Sequence, residues 1–141
     1  MSLKKKFKTS SRLVEEGAWF DVTQNTDKTL CRVRLRRSGR GNRAWVASFR
    51  DNTADVDMDN LSVEEDEAIT AKVFVEACVV DWEHLQLDDD GHETPFTPER
   101  ALEILSDPDW IELLKDWQGK ANGIAGYQDA VQAKREGEAG N

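Results

Sequence analysis

Between Cys31 and Arg36 apolar and charged side chains alternate without a break, with Cys31, Val33 and Leu35 set against Arg32, Arg34 and Arg36. A period of two belongs to the pleated strand, whose successive side chains point to opposite faces. This run predicts a strand with one buried face and one guanidinium face, and it obliges the rest of the chain to supply neighbours. Ala18-Trp19-Phe20-Asp21-Val22 is a short apolar run closed by the turn-rich Gln24-Asn25-Thr26-Asp27. After the loop Ser38-Gly39-Arg40-Gly41-Asn42, Trp45, Ala47 and Phe49 again fall on one face of an alternating run. The three runs predict a small three-stranded antiparallel sheet within residues 14–50. Such a sheet cannot stand alone and needs helices over its apolar side.

The rest of the chain has the periodicity to provide them. Residues 51–61 read as an acidic linker. Ser62 with Glu65 then matches a capping box, and the carboxylates from Glu64 to Glu67 suit the positive end of a helix dipole. Ile69, Val73, Ala77 and Val80 mark one helical face, while Phe74, Val75, Cys78 and Val79 make the second half apolar nearly all round. The β-branched residues in that half leave a strand as the alternative there. Thr97-Pro98 and Asp107-Pro108 carry the N-cap and first-turn signals of two further helices. Leu102 and Leu105 give the first a buried edge, and Trp110, Ile111, Leu114 and Trp117 form a stripe on the second. The fold class is therefore α+β, a three-stranded sheet followed by a helical part over residues 62–118. A basic disordered tail is expected over 1–13 and a loosely ordered one over 119–141, with room for a helical turn or two around Tyr127 to Ala133.

Charge narrows the partners. The formal net charge is -9, but residues 1–50 hold 13 Lys and Arg against 4 Asp and Glu, whereas residues 51–141 hold 6 against 24. A uniform polyanion or polycation is a poor match for such a chain, and docking of unlike halves, within or between copies, is a good one. Arg32, Arg34 and Arg36 are the candidates for electrostatic self-association. The same arginines suggest a small RNA-binding module, although no aromatic residue alternates with them as a stacking platform requires. The longest uncharged stretch near the middle, Ala77 to Val80, is far too short to span a bilayer, and no apolar segment follows the N-terminal lysines as a secretory signal requires. Membrane association is thus not expected. Cys31 and Cys78 read as buried reduced thiols, which implies a cytoplasmic setting.

No chemistry-bearing constellation emerges. If Gly91 is the sixth position of a calcium loop, Gln86 and Thr97 stand where the first and twelfth ligands belong, so Asp88-Asp89-Asp90-Gly91 reads as a solvated turn. Cys78, His84 and His92 lack zinc-ligand spacing. There is no nucleophile elbow and no phosphate-cradling glycine loop. The expectation is a protein without catalytic, metal or cofactor site that acts by binding.

Val79-Val80-Asp81-Trp82, Asp88-Asp89-Asp90-Gly91, the run from Pro95-Phe96-Thr97-Pro98-Glu99-Arg100 to Leu105, and Asp107-Pro108-Asp109-Trp110 occur in that order. In this the chain resembles the tail assembly chaperones of long-tailed bacteriophages. Glu16-Gly17-Ala18-Trp19-Phe20 and the arginine-rich strand are similar to the β-rich start of one branch of that family. The resemblance spans most of residues 14–118 and implies a non-enzymatic factor of the host bacterial cytoplasm. Such a factor binds the tape measure protein and keeps it soluble until tail tube subunits polymerise around it. It also makes a structural tail or head–tail component retained in the virion the nearest alternative. Phe74, Val75, Val79, Trp82, Trp110, Leu114 and Trp117 are then the candidate client-binding residues, taking an amphipathic client helix in a groove. The competing reading is that the same residues are this domain's own core.

Overall fold

The computed structural model describes residues 2–139, with side chains as far as Arg135. Two short helices, α1 (Leu3–Phe7) and α2 (Ser11–Glu16), lead into strands β1 (Ala18–Gln24) and β2 (Leu30–Leu35). Helices α3 (Arg43–Thr53) and α4 (Val63–Cys78) follow, and α4 runs directly into strand β3 (Val79–Glu83). The chain continues through α5 (Pro98–Leu105), α6 (Ile111–Asn122) and α7 (Asp129–Ala139), with 3₁₀ turns at Met58–Asn60, Pro108–Trp110 and Ala125–Tyr127. The fold is α+β, built on one three-stranded antiparallel sheet in the order β1-β2-β3.

The central strand is the one with the alternating pattern, but its third partner is not the expected one. Trp45, Ala47 and Phe49 lie on helix α3, and the edge strand beside β2 comes instead from Val79–Glu83. Two local interactions decide for helix. Asn42 Oδ1 accepts from the Ala44 N–H at 3.0 Å as the N-cap, and Trp45 and Phe49, four residues apart, stack with centroids 5.3 Å apart and planes 10° from parallel. An i, i+2, i+4 run of five residues fits both periods, so only the cap separates them. At the far end, β-branched Val79 and Val80 leave the helix for the extended conformation that suits them.

Other start signals operate as written in the sequence. Ser62 Oγ accepts from Glu65 N (3.1 Å) and Glu65 Oε1 accepts from Ser62 N (3.4 Å), completing the capping box of α4. Thr97 Oγ1 accepts from Arg100 N at 3.0 Å, with Pro98 in the first turn of α5.

Strand register places Phe20, Val33 and Trp82 in one row across the sheet. That apolar face packs under the helices, where Val33, Leu35, Leu105, Leu114 and Trp117 are all buried. The Trp82 ring meets Phe96 edge-on at 4.9 Å and Trp117 at 6.1 Å, and its Nε1 donates to the Thr94 carbonyl at 2.7 Å. Cys31 and Cys78 are free and buried, and burial pushes their thiols up to about 11 and about 12. Neither is a ready nucleophile at neutral pH.

Both terminal stretches differ from the tails expected of them. In α2, Leu13 and Val14 are buried, and the Ser10 N–H donates to the Tyr127 carbonyl at 2.7 Å. Tyr127 is itself buried: its hydroxyl donates to the Leu35 carbonyl at 3.0 Å and its ring meets Phe20 at 5.7 Å. Gly126 permits this approach, since a Cβ there would lie 2.3 Å from the Phe20 ring. From α7, Gln132 accepts from Trp19 N (3.0 Å) and donates to Trp19 O (3.1 Å), so one amide side chain closes part of the free edge of β1. Each of these anchors is one or two residues, too few to register as a periodic pattern. The expected acidic linker is likewise partly ordered, since α3 runs to Thr53 and a 3₁₀ turn spans Met58–Asn60. Met1 and residues 140–141, the outermost parts of the expected tails, lie outside the described residues.

The acidic turn after β3 docks on the β1–β2 hairpin. Asn25 Nδ2 donates to the His84 carbonyl (2.8 Å), Thr26 Oγ1 to Asp89 (3.1 Å) and Gln86 Nε2 to Asp27 (3.0 Å). Hydrogen bonds from Thr29 and Gln86 hold the Asp27 carboxyl down to about 2. His84, at a positive φ of 53°, closes the loop with a 2.6 Å contact from Nδ1 to Glu93.

Two outcomes follow. Tyr127→Phe strips the Leu35 carbonyl of its buried donor, and urea denaturation should show a loss of about 1–3 kcal/mol at unchanged m-value. The Glu93 hydrogen bond raises the His84 pKa above its ordinary 6.5 and lowers that of Glu93 below its ordinary 4.5. The His84 contribution is therefore complete below pH 6.5 and is lost as pH rises through the raised value. The Glu93 contribution is complete above pH 4.5 and is lost as pH falls through the lowered value. Melting temperature should fall slightly as pH rises above 6.5 through the raised His84 value, and His84→Gln should abolish that fall.

Candidate protein-binding groove

The residues singled out from the sequence divide cleanly by burial. Phe74, Val75, Val79, Trp82, Leu114 and Trp117 are buried in the core, and Trp110 is half-buried against it. As a set they hold the domain together. Phe74 reaches the wall of the groove between α3 and α4 described below, and Leu114 that of the depression beside it.

The arginine face of β2 is also occupied. Register places Arg32 between Asp21 and Glu83, and Arg34 opposite Asp81. Arg32 is 8% exposed, lies over the Trp19 ring at 4.6 Å and donates from Nε and from the adjacent nitrogen to Glu83 at 3.2 and 3.1 Å. Arg34 Nε is buried without a hydrogen-bond partner among the described residues, and Arg36 Nε donates to the Glu15 carbonyl at 2.8 Å. Arg32 and Arg36 are thus engaged by their own neighbours. Arg32 in particular offers nothing to a nucleic acid backbone or a second copy.

The exposed apolar surface lies elsewhere. Helix α3 packs along α4 through a polar seam: buried Asn42 donates to the Ala77 carbonyl (2.9 Å), and Ser48 Oγ donates to Glu76 Oε2 (3.0 Å). The seam holds the two helices in place while their aromatic and aliphatic side chains open a groove of about 420 Å³. Trp45 and Phe49 from α3, Met58 from the 3₁₀ turn, and Ile69, Val73 and Phe74 from α4 form its floor. Asp66, Gln118 and Asn122 stand on its rim, and Asn122 is tied to the loop by the Ser38 hydroxyl. Phe49 is 40% and Met58 47% exposed. Val46 on α3 and Val63 at the start of α4 are exposed as well.

A second depression of about 420 Å³ lies between α4 and the α5–α6 pair, with Ala71, Leu105, Ile111 and Leu114 among its walls. Asp66, Thr70 and Gln118 border both. The size suits side chains of a partner segment. Each floor is apolar, with a few polar groups on the rim. Among the described residues no group of three or more His, Cys, Asp or Glu is placed to hold a metal ion, and no helix is long and apolar enough to cross a membrane.

Sequence reasoning assigned Trp45 and Phe49 to a buried strand face and Met58 to a linker, and so missed the groove. Asn42 as N-cap, with two aromatics at i and i+4 behind it, was the available signal.

Residues 39–138, from the loop before α3 into α7, match the family model described as YdaY prophage protein, and the chain belongs to that family. No curated protein and no solved structure matches it.

Burial separates the two residue sets experimentally. Trp117→Ala should cost about 3–5 kcal/mol in urea denaturation, whereas Met58→Gln should change stability by no more than about 0.5 kcal/mol.

Proposed function

We propose that this prophage protein is a tail assembly chaperone: it binds helical, apolar segments of the tape measure protein and keeps them soluble until tail tube subunits displace it. The observation that carries this reading is the groove between α3 and α4, an apolar floor left open to solvent at Phe49 and Met58. An amphipathic helix buries one apolar stripe in such a groove and leaves its polar face in water.

The sequence segments that resemble the chaperone family support the reading indirectly. Val79–Trp82 forms most of β3, the Pro95–Leu105 run opens α5 with Phe96 against Trp82, and Asp107–Trp110 leads into α6. These segments are the frame that orients α4 and α6, both of which line the groove. On this reading the shared motif is architectural, and the client surface is set by α3, α4 and the turn between them. The acidity of the chain, with a net charge of -9, serves the solubility of the coated client. Binding without chemical transformation is all the role requires, and the host bacterial cytoplasm is where it is required.

Co-expression with the tape measure protein of the same prophage tests the proposal. The client should move from the insoluble to the soluble fraction and co-purify. Phe49→Lys, which puts a charge on the groove floor, should reduce the co-purified client at least about tenfold, as expected for the loss of an apolar anchor. A client that stays insoluble with and without this chain overturns the proposal.

A further inference from the structure

We infer that the groove also receives helix α1 of a second copy of this chain, so that the protein assembles head to tail. This goes beyond the client-binding reading and stands without it.

Helix α1 is built for docking and has no apolar partner in its own chain. Leu3 and Phe7, four residues apart, share one helical face, and they are 76% and 54% exposed. Lys4, Lys5, Lys6 and Lys8 surround them. The helix is nevertheless held in place, because Gln128 Nε2 donates to the carbonyls of Lys5 (3.1 Å) and Lys8 (3.4 Å). None of its residues lines the groove of the same chain. Two exposed apolar side chains on a tethered basic helix need a surface that is concave, apolar and acidic.

The groove is such a surface. Residues 51–67, from the end of α3 into the first turns of α4, carry eight carboxylates and no Lys or Arg. Seven of those carboxylates follow the turn at Ala54, and Asp66 stands on the groove rim itself. Four lysines brought over this stretch gain Coulomb attraction, and Leu3 with Phe7 gains an apolar floor. The stretch carries no cation of its own, and on β2 Arg32 is already engaged with Glu83 and Arg36 with the Glu15 carbonyl.

The contact is heterologous: the α1 face of one copy meets the groove of the next, and each bound copy still offers a free helix or a free groove. Such contacts propagate into rings or open chains. The interface is small and charge-dependent, hence weak and salt-sensitive. While it forms, it covers Phe49 and Met58, so a client segment entering the groove has to displace α1.

Sedimentation velocity on the full chain alone tests the inference. At low salt the sedimentation coefficient should rise with protein concentration, and about 0.5 M NaCl should return it to that of a monomer. The double variant L3E/F7E, altered only at exposed positions, and the double variant F49K/M58K should each be monomeric with unchanged circular dichroism. Their equimolar mixture should form a one-to-one dimer and no larger species, because it restores a single intact helix–groove pair. If F49K/M58K fails to fold, Asp66→Lys on the exposed rim replaces it. A wild-type chain that is monomeric at all concentrations in low salt overturns the inference, as does self-association that survives in L3E/F7E, or a mixture that does not pair. Client binding by a chain that never self-associates assigns the groove to the client alone.

Discussion

The indole of Trp82 joins the sheet, the loop that follows it and helix α6. Its position in β3 puts it opposite Val33 of the central strand. Its ring meets Phe96 just before α5 and Trp117 in the middle of α6. Its N–H ties down the Thr94 carbonyl, the last part of the loop that returns from the acidic turn. Sheet, loop, the start of α5 and the middle of α6 are therefore positioned against one rigid ring. Aromatic contacts of this kind combine a large apolar area with directional preference, so they set geometry as well as stability. The groove inherits that geometry, because α4 leads straight into the strand that carries Trp82 and α6 packs on the same ring.

The local signals in the sequence were sufficient wherever they were redundant. The capping box at Ser62, the Thr97-Pro98 start and the arginine alternation each combine a cap or a period with the right residue types, and each stands in the structure. Trp45–Phe49 was ambiguous because five residues satisfy both a strand face and an i, i+4 helical pair. Val79 and Val80 read first as the end of a helix because they continue the apolar face of α4, with a strand as the alternative, and pairing with β2 makes them the start of β3. That pairing joins residues about fifty positions apart, and no local window contains it. The helical turn around Tyr127 to Ala133 is legible, but the contacts of Tyr127 and Gln132 are not, because each reaches a distant strand with no periodic pattern around it.

The candidate site was less legible than the fold. The seven apolar residues first associated with a client are conspicuous because they are large and clustered, and large clustered apolar residues are what a core is made of. A binding surface is distinguished by exposure, which depends on where neighbouring elements stop. Phe49 and Met58 remain open only because α3 ends at Thr53 and the chain then makes a polar turn instead of covering them.

Charge explains why the surface divides as it does. Arginines on a central strand have carboxylate-bearing edge strands on either side, and the planar guanidinium can stack on Trp19 while it donates to Glu83. Pairing Arg32 with Glu83 takes the most buried of those cations out of play. The lysines of α1 stay exposed on a short helix at the edge of the domain. The acidic stretch from Asp51 to Glu67 is the mirror case, a row of carboxylates beside an apolar floor and without cations of its own. A domain that neutralises its central charges and leaves two opposite clusters, each next to exposed apolar side chains, has separated its stability from its capacity to associate. The core can then remain rigid while the groove exchanges one helical occupant for another.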